Sequence, residues 1–304
     1  MITRRHFLRT SLGALSVTAL PAIEPIKRPG PSRLQLGVAA YSFRDSFQWM
    51  RDKEQAGKGG RAPWSILDFV DWCGDHGVPG AEVTSYFFPP EVGVDFLLEV
   101  KHRAYLRGVQ LAGTAVGNNF ALPGGGPLDR EIAYTKKWID HAAVMGAPHI
   151  RVFAGVKPKE LSEEEAVANC LGAYQECLDY AAKQGVFLGL ENHGGIVAGP
   201  DPLIKMVQAV QSRWAGINLD SGNFHTADPY ADLARIAPYA VNVQLKMEVT
   251  RAGSQQSEAS DVKRVIGILR EANYQGWFTL EYEKQGDPFT EVPKIVEMLK
   301  PLLG

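Results

Sequence analysis

Residues 187–194 read Phe-Leu-Gly-Leu-Glu-Asn-His-Gly, and residues 216–224 read Gly-Ile-Asn-Leu-Asp-Ser-Gly-Asn-Phe. Each opens as a short apolar run and turns polar at an acid, Glu191 or Asp220. Two more runs have this form. Residues 241–246 read Val-Asn-Val-Gln-Leu-Lys, carrying Gln244 and Lys246, and residues 277–281 read Trp-Phe-Thr-Leu-Glu, ending at Glu281. The polar positions Glu191, Asp220, Gln244 and Glu281 are 29, 24 and 37 residues apart. One strand–helix–strand unit takes about 30 residues. Each step therefore advances the chain by one strand and brings it back to the same end of a sheet.

Working outward, four further apolar runs occur at 34–41, 80–84, 110–115 and 149–154, which makes eight. Segments with apolar residues at three- and four-residue spacing separate them. The clearest is 162–184, where Ser162 followed by Glu163, Glu164 and Glu165 suits the exposed N–H groups of a first helical turn. Residues 66–76 and 293–303 also read as helices. Eight strand–helix units with apolar strands predict an α/β fold of one domain, a closed (β/α)8 TIM barrel over 35–304. An open doubly wound sheet would carry a glycine-rich phosphate loop after its first strand. Here that strand ends in Tyr41-Ser42-Phe43-Arg44, and Gly124-Gly125-Gly126 lies after the third strand without matching either phosphate fingerprint.

The amino terminus reads differently. Residues 3–9 are Thr-Arg-Arg-His-Phe-Leu-Arg, an apolar run follows to Leu20, and Pro21-Ala22 offers a cleavage site. This pattern resembles a twin-arginine signal peptide over 1–22. It implies the twin-arginine translocase as a partner during export and a periplasmic or otherwise exported product. Residues 23–34 hold three prolines and read as a linker, or as an arm lying on the barrel. Without residues 1–22 the net charge moves from −2 to −5, which argues against a nucleic-acid partner. Three cysteines, Cys73, Cys170 and Cys177, form neither a disulfide framework nor a zinc cluster.

Three carboxylates converging at one barrel mouth would repel one another, and a divalent cation relieves that repulsion. An all-oxygen set at Glu191, Asp220, Gln244 and Glu281 suits Mn2+ or Mg2+ best, with Co2+ or Zn2+ as alternatives. Lys246 lies two residues after Gln244 and so shares its side of the strand. It is placed to meet a substrate oxygen, to protonate a leaving group, or to pair with one of the carboxylates. His193 and His225 are candidates for substrate hydroxyls. Arg151, inside the fourth apolar run, is a candidate for an anionic group or an internal acid. Glu82 reads as a structural acid. Tyr41, Phe43, Tyr86, Phe87 and Phe88 stand at the ends of the first two strands, as a wall against a sugar or as core. Two long polar segments, 45–63 and 248–261, leave the same face as candidate lids or contacts in a homo-oligomer.

The stretches Leu-Glu-Asn-His-Gly (190–194), Leu-Asp-Ser-Gly-Asn-Phe (219–224), Gln-Leu-Lys (244–246) and Gly-Trp-Phe-Thr-Leu-Glu (276–281) resemble the xylose-isomerase-like barrel superfamily of sugar isomerases and epimerases. The resemblance implies a metal held at Glu191, Asp220, Gln244 and Glu281, although the usual residue at position 244 is histidine. It also implies Glu191 and Glu281 as an acid/base pair acting from opposite sides of a carbohydrate. Asn223 stands where tagatose-type epimerases place a substrate-contacting histidine. The expected activity is isomerisation or epimerisation of a sugar or keto-sugar, by proton abstraction next to a carbonyl through a metal-stabilised enediolate. A lyase or dehydratase acting on a keto-sugar or cyclitol is the alternative, and an exported sugar-binding protein without catalysis is a third.

Overall fold

The computed structural model describes residues 23–56 and 60–303. The signal-peptide expectation for residues 1–22 lies outside them. Eight parallel strands close into one barrel: β1 (Arg33–Ala39), β2 (Gly80–Thr84), β3 (Gln110–Ala115), β4 (His149–Val152), β5 (Phe187–Glu191), β6 (Ala215–Asp220), β7 (Ala240–Leu245) and β8 (Gln275–Leu280). Closure is made by β1 against β8, with Arg33 level with Gln275 and Val38 level with Leu280. Each strand is followed by a helix among the described residues: α1 (Ile66–Asp75), α2 (Val94–Leu106), α3 (Gly126–Met145), α4 (Glu163–Gln184), α5 (Pro200–Ala209), α6 (Pro229–Ile236), α7 (Val262–Glu271) and α8 (Pro288–Leu303). The (β/α)8 barrel expected from the strand spacing is the fold observed.

Local chemistry sets the helix ends. At α4 the Ser162 hydroxyl accepts from Glu165 N, and the Glu165 carboxylate accepts from Ser162 N at 2.8 Å. Gly185 closes the helix in the left-handed region that glycine enters without steric cost. Ser65 and Asp68 build the same box at α1. The face of α4 toward the barrel carries Cys170, Tyr174, Cys177 and Leu178, all buried. Burial pushes the Cys170 and Cys177 thiols up to about 12, so both are packed, neutral groups.

The first strand is shorter than its apolar run. Residues Ala40–Ser46 turn into a 3-10 helix over the barrel mouth. Phe43 drives that turn, packing against Trp64, Trp72 and Phe289 with ring centroids 4.7–5.2 Å apart. Phe87 and Phe88 are also core, whereas Tyr41 and Tyr86 reach the cavity described below. At the opposite end of the barrel, the segment before β1 lies against the strand starts. Ile26 N donates to Pro238 O at 2.9 Å, and Gln275 Nε2 donates to Pro29 O at 2.6 Å.

Outward residues of the strands are aliphatic and meet the helices, but the inward ones are polar. Glu82, Thr114, Arg151, Glu191, Asn218, Asp220, Asn242, Gln244 and Thr279 are each at most 5% exposed. Four of them close a ring of hydrogen bonds. Gln244 Nε2 and Asn242 Nδ2 donate to the two oxygens of Glu82 at 2.7 and 2.9 Å. Asn242 Nδ2 also donates to Asn218 Oδ1 at 2.8 Å, and Asn218 Nδ2 donates to Gln244 Oε1 at 2.6 Å. Both Glu82 oxygens accept in this ring, which fixes the way Gln244 and Asn242 face and, through them, Asn218.

We expect Ser162→Ala to lower stability by about 1 kcal/mol, the usual loss for a removed N-cap. Urea denaturation would read this as a lower midpoint with an unchanged slope.

Candidate active site

The register places the functional side chains. Glu191 is level with Asn218, Asp220 with Gln244, and Gln244 with Thr279. Glu281 and Lys246 each lie just beyond the end of a strand, one position past Leu280 and Leu245. The motif residues hold these ends in place. Asn192 clamps β6 by accepting from Asp220 N at 2.8 Å and donating to Asp220 O at 2.9 Å. Ser221 Oγ accepts from Lys246 N at 2.8 Å. A Cβ at Gly222 would stand 2.7 Å from Lys246 Cβ and Cγ, so only glycine lets the lysine stem pass there.

A cavity of about 100 Å³ opens at the C-terminal ends of the strands. Glu191, Glu281, Lys246, Arg151, His193 and Asn223, all singled out in the sequence, line it together. His225 lines a neighbouring cavity of about 190 Å³, which shares Asn223, Lys246 and Glu283 with the first. Asp220 and Gln244 lie beneath the cavity, 0% and 1% exposed, and do not line it.

The pairings within the site are specific. Arg151 Nε lies 2.8 Å from Glu191 Oε2, with both side chains buried, and its guanidinium stacks 4.0 Å from the Phe153 ring centroid. Asn223 Nδ2 donates to Glu191 Oε1 at 2.8 Å. Lys246 Nζ lies 2.6 Å from Glu281 Oε2 and 3.5 Å from Asp220 Oδ2, and it also contacts Glu283 Oε2. Burial is the main cause that pushes the Glu191 carboxyl above its ordinary range. Arg151 opposes the shift, while Asp220 and Glu281 add to it. The Asp220 carboxyl rises chiefly through burial too, against the pull of Lys246. Desolvation works against charge on Lys246, but Asp220, Glu281 and Glu283 overcome it and hold the ammonium protonated.

Three residues of the site received no role from the sequence. Glu283 follows Glu281 by two positions, and that spacing was the available signal. Arg51 and Phe153 carried no comparable mark. Arg51 reaches the cavity from a ribbon of Trp49–Met50 and Lys53–Glu54, with its guanidinium 4.3 Å from the Tyr86 ring centroid. The tight turn of that ribbon holds both Arg51 and Asp52 at positive φ, 51° and 64°, although neither is glycine.

The donor set can be tested against a divalent ion. Two buried carboxylate oxygens, Glu191 Oε2 and Asp220 Oδ2, accept no hydrogen bond among the described residues, although each already faces a cation, Arg151 Nε at 2.8 Å and Lys246 Nζ at 3.5 Å. The remaining geometry is that of a site filled by side chains. Lys246 Nζ lies against both Glu281 and Asp220, Arg151 holds Glu191, and Gln244 Oε1 accepts from Asn218. Among the described residues no three histidine, cysteine, aspartate or glutamate side chains are grouped to hold one ion. As arranged, the residues do not fit a divalent metal.

The family model described as "Xylose isomerase-like TIM barrel" matches residues 70–302, and the chain belongs to that family. Among solved structures, a xylose isomerase domain protein from Planctomyces limnophilus is 16% identical, with a TM-score of 0.64 over 90% of this chain and 98% of that one. The 3-keto-D-glucoside 4-epimerase from E. coli is 15% identical, with a TM-score of 0.67 over 88% of this chain and 100% of that one. D-Psicose 3-epimerase from Clostridium cellulolyticum is 14% identical, with a TM-score of 0.66 over 86% and 90%. No curated protein sequence matches the chain significantly.

The buried Arg151–Glu191 pair yields a stability prediction. Arg151→Met should cost about 3 kcal/mol or more by leaving an uncompensated buried carboxylate, and adding Glu191→Gln should recover much of it. A double-mutant cycle by urea denaturation measures both. Energies that simply add would show that the two groups do not interact.

Proposed function

We propose that the chain is an isomerase or epimerase of a sugar or keto-sugar, working by proton transfer next to a carbonyl. One observation carries the reading: Glu191 and Glu281 open into a single small cavity, and each is matched to its own internal cation, Arg151 or Lys246. Family membership and the epimerases among the structural neighbours support it.

In this reading the Glu191 carboxylate takes the proton from the carbon beside the carbonyl. A base whose pKa lies above the ordinary carboxylate range is well matched to that task. The C–H pair forms the new C=C bond, and the carbonyl π pair moves onto oxygen. For epimerisation, Glu281 is the group that returns a proton on the opposite face. For isomerisation, Glu191 returns its own to the former carbonyl carbon, while the hydroxyl proton on the adjacent carbon passes to the oxyanion and that carbon becomes the new carbonyl. Tyr41 and Tyr86 give the sugar an aromatic wall, and His193 and Asn223 meet its hydroxyls. His225 extends the contacts into the adjoining cavity.

A lyase reading uses the same first step and is favoured by one feature, the Lys246 ammonium beside Glu281. It could protonate a departing β-hydroxyl. A metal-assisted form, with Mn2+ or Mg2+ at Glu191, Asp220, Gln244 and Glu281, is the arrangement that the family resemblance implies. It requires Lys246 to leave Asp220 and Glu281, and Asn218 to release Gln244. The signal peptide read over 1–22 points to an exported enzyme, and so to a sugar without phosphate, drawn from glycan breakdown.

Incubation with ketoses and 3-keto-glucosides in heavy water tests the reading. Epimerase or isomerase action puts solvent deuterium into recovered sugar, whereas lyase action gives an unsaturated product. Glu191→Gln should lower the rate by about a hundredfold or more. A variant as fast as wild type would remove Glu191 as the base. The rate should also fall as pH drops through the raised Glu191 range, because protonation removes the base. That acidic limb should therefore lie above the pH at which an ordinary glutamate titrates.

A further inference from the structure

We infer that the Lys246 ammonium is the cation on which the substrate carbonyl oxygen becomes an oxyanion, in the place where a divalent ion would otherwise stand. The inference rests on the proton-transfer reading above and deepens it by naming the electrophile.

All four residues expected to converge on an ion are already engaged. Glu281 and Asp220 face Lys246 Nζ at 2.6 and 3.5 Å. Glu191 is held by Arg151 at 2.8 Å, and Gln244 Oε1 by Asn218 at 2.6 Å. A single positive charge thus lies against two of the four, fixed from below. The lysine backbone is tied to Ser221, and its stem passes the only kind of residue, glycine, that leaves it room.

The third partner of the ammonium shows where a substrate oxygen would enter. Asp220 and Glu281 side chains are 0% and 7% exposed, but that of Glu283 is 40% exposed. Glu283 lies on the rim, bordering both the inner cavity and the neighbouring one. It is the carboxylate that can swing away at least cost, and its oxygen on Nζ stands in for the oxyanion of the substrate. When Glu191 takes the carbon-bound proton, the carbonyl oxygen gains the π pair and accepts a hydrogen bond from the ammonium. Lys246 keeps all three of its protons, and charge stabilisation needs no other group.

The test compares wild type, Lys246→Met and Lys246→Arg after chelation. Mn2+ binding is read by calorimetric titration and electron paramagnetic resonance. Wild type and Lys246→Arg should bind Mn2+ weakly. Lys246→Met should bind it about tenfold or more tightly, because Asp220, Glu281 and Glu283 lose their ammonium. In heavy water, wild type should keep its deuterium exchange into the sugar after chelation, and Lys246→Met should lose about a hundredfold. Stoichiometric, tight Mn2+ binding by wild type that Lys246→Met leaves unchanged or weakens would overturn the inference. If no sugar exchanges with any of the three proteins, the proposed function fails, and the Mn2+ titration still decides the inference.

Discussion

Buried negative charge is the constraint on which the rest of this structure depends. Glu82, Glu191, Asp220 and Glu281 are at most 5% exposed, and they share one barrel interior. Each ionised carboxylate placed there must be answered by a donor or a cation, or it gives up its charge. Glu82 is answered by two amides, Glu191 by a guanidinium and an amide, and Asp220 and Glu281 by one ammonium. The inward faces of β6 and β7 are therefore spent on asparagine, aspartate and glutamine, and Arg151 lies buried within β4.

This division also explains why the scaffold is apolar on one side of each strand and polar on the other. A barrel whose interior were filled with valine and leucine would pack without such bookkeeping. Here the aliphatic residues face the helices and supply the stability. The interior is a hydrogen-bonded lattice whose geometry is set by which atoms can donate. Glu82 anchors it, since its two oxygens both accept, from Asn242 and Gln244, and set the orientation of each.

Much of the fold was legible in the sequence because strand spacing and cap chemistry are local signals. The runs at 80–84, 110–115 and 187–191 coincide with β2, β3 and β5, and Ser162 caps α4 as its neighbours imply. The apolar pattern overruns the first strand, because Ala40 and Tyr41 continue it past Ala39. Only the tertiary packing of Phe43 turns the chain there. Glu191, Glu281, Lys246, Arg151, His193 and Asn223 stand out in the sequence as polar residues within, at or near the ends of apolar runs, and the fold brings them to one cavity. Their pairing was not readable. Nothing local shows that Gln244 spends both amide atoms on Glu82 and Asn218, or that Arg151 and not a neighbour on β6 answers Glu191. Arg51 was hidden for a different reason. Its turn adopts left-handed backbone at arginine and aspartate, where the usual marker would be asparagine or glycine.

The segment before β1 has a consequence of position. It is bonded to Pro238 and Gln275, at the strand starts, while the cavity lies at the strand ends. The described part of this arm therefore braces the floor of the barrel, on the far side from the mouth. Closure of the barrel is thus reinforced from the end opposite the cavity, by an arm that contributes no residue to the cavity lining.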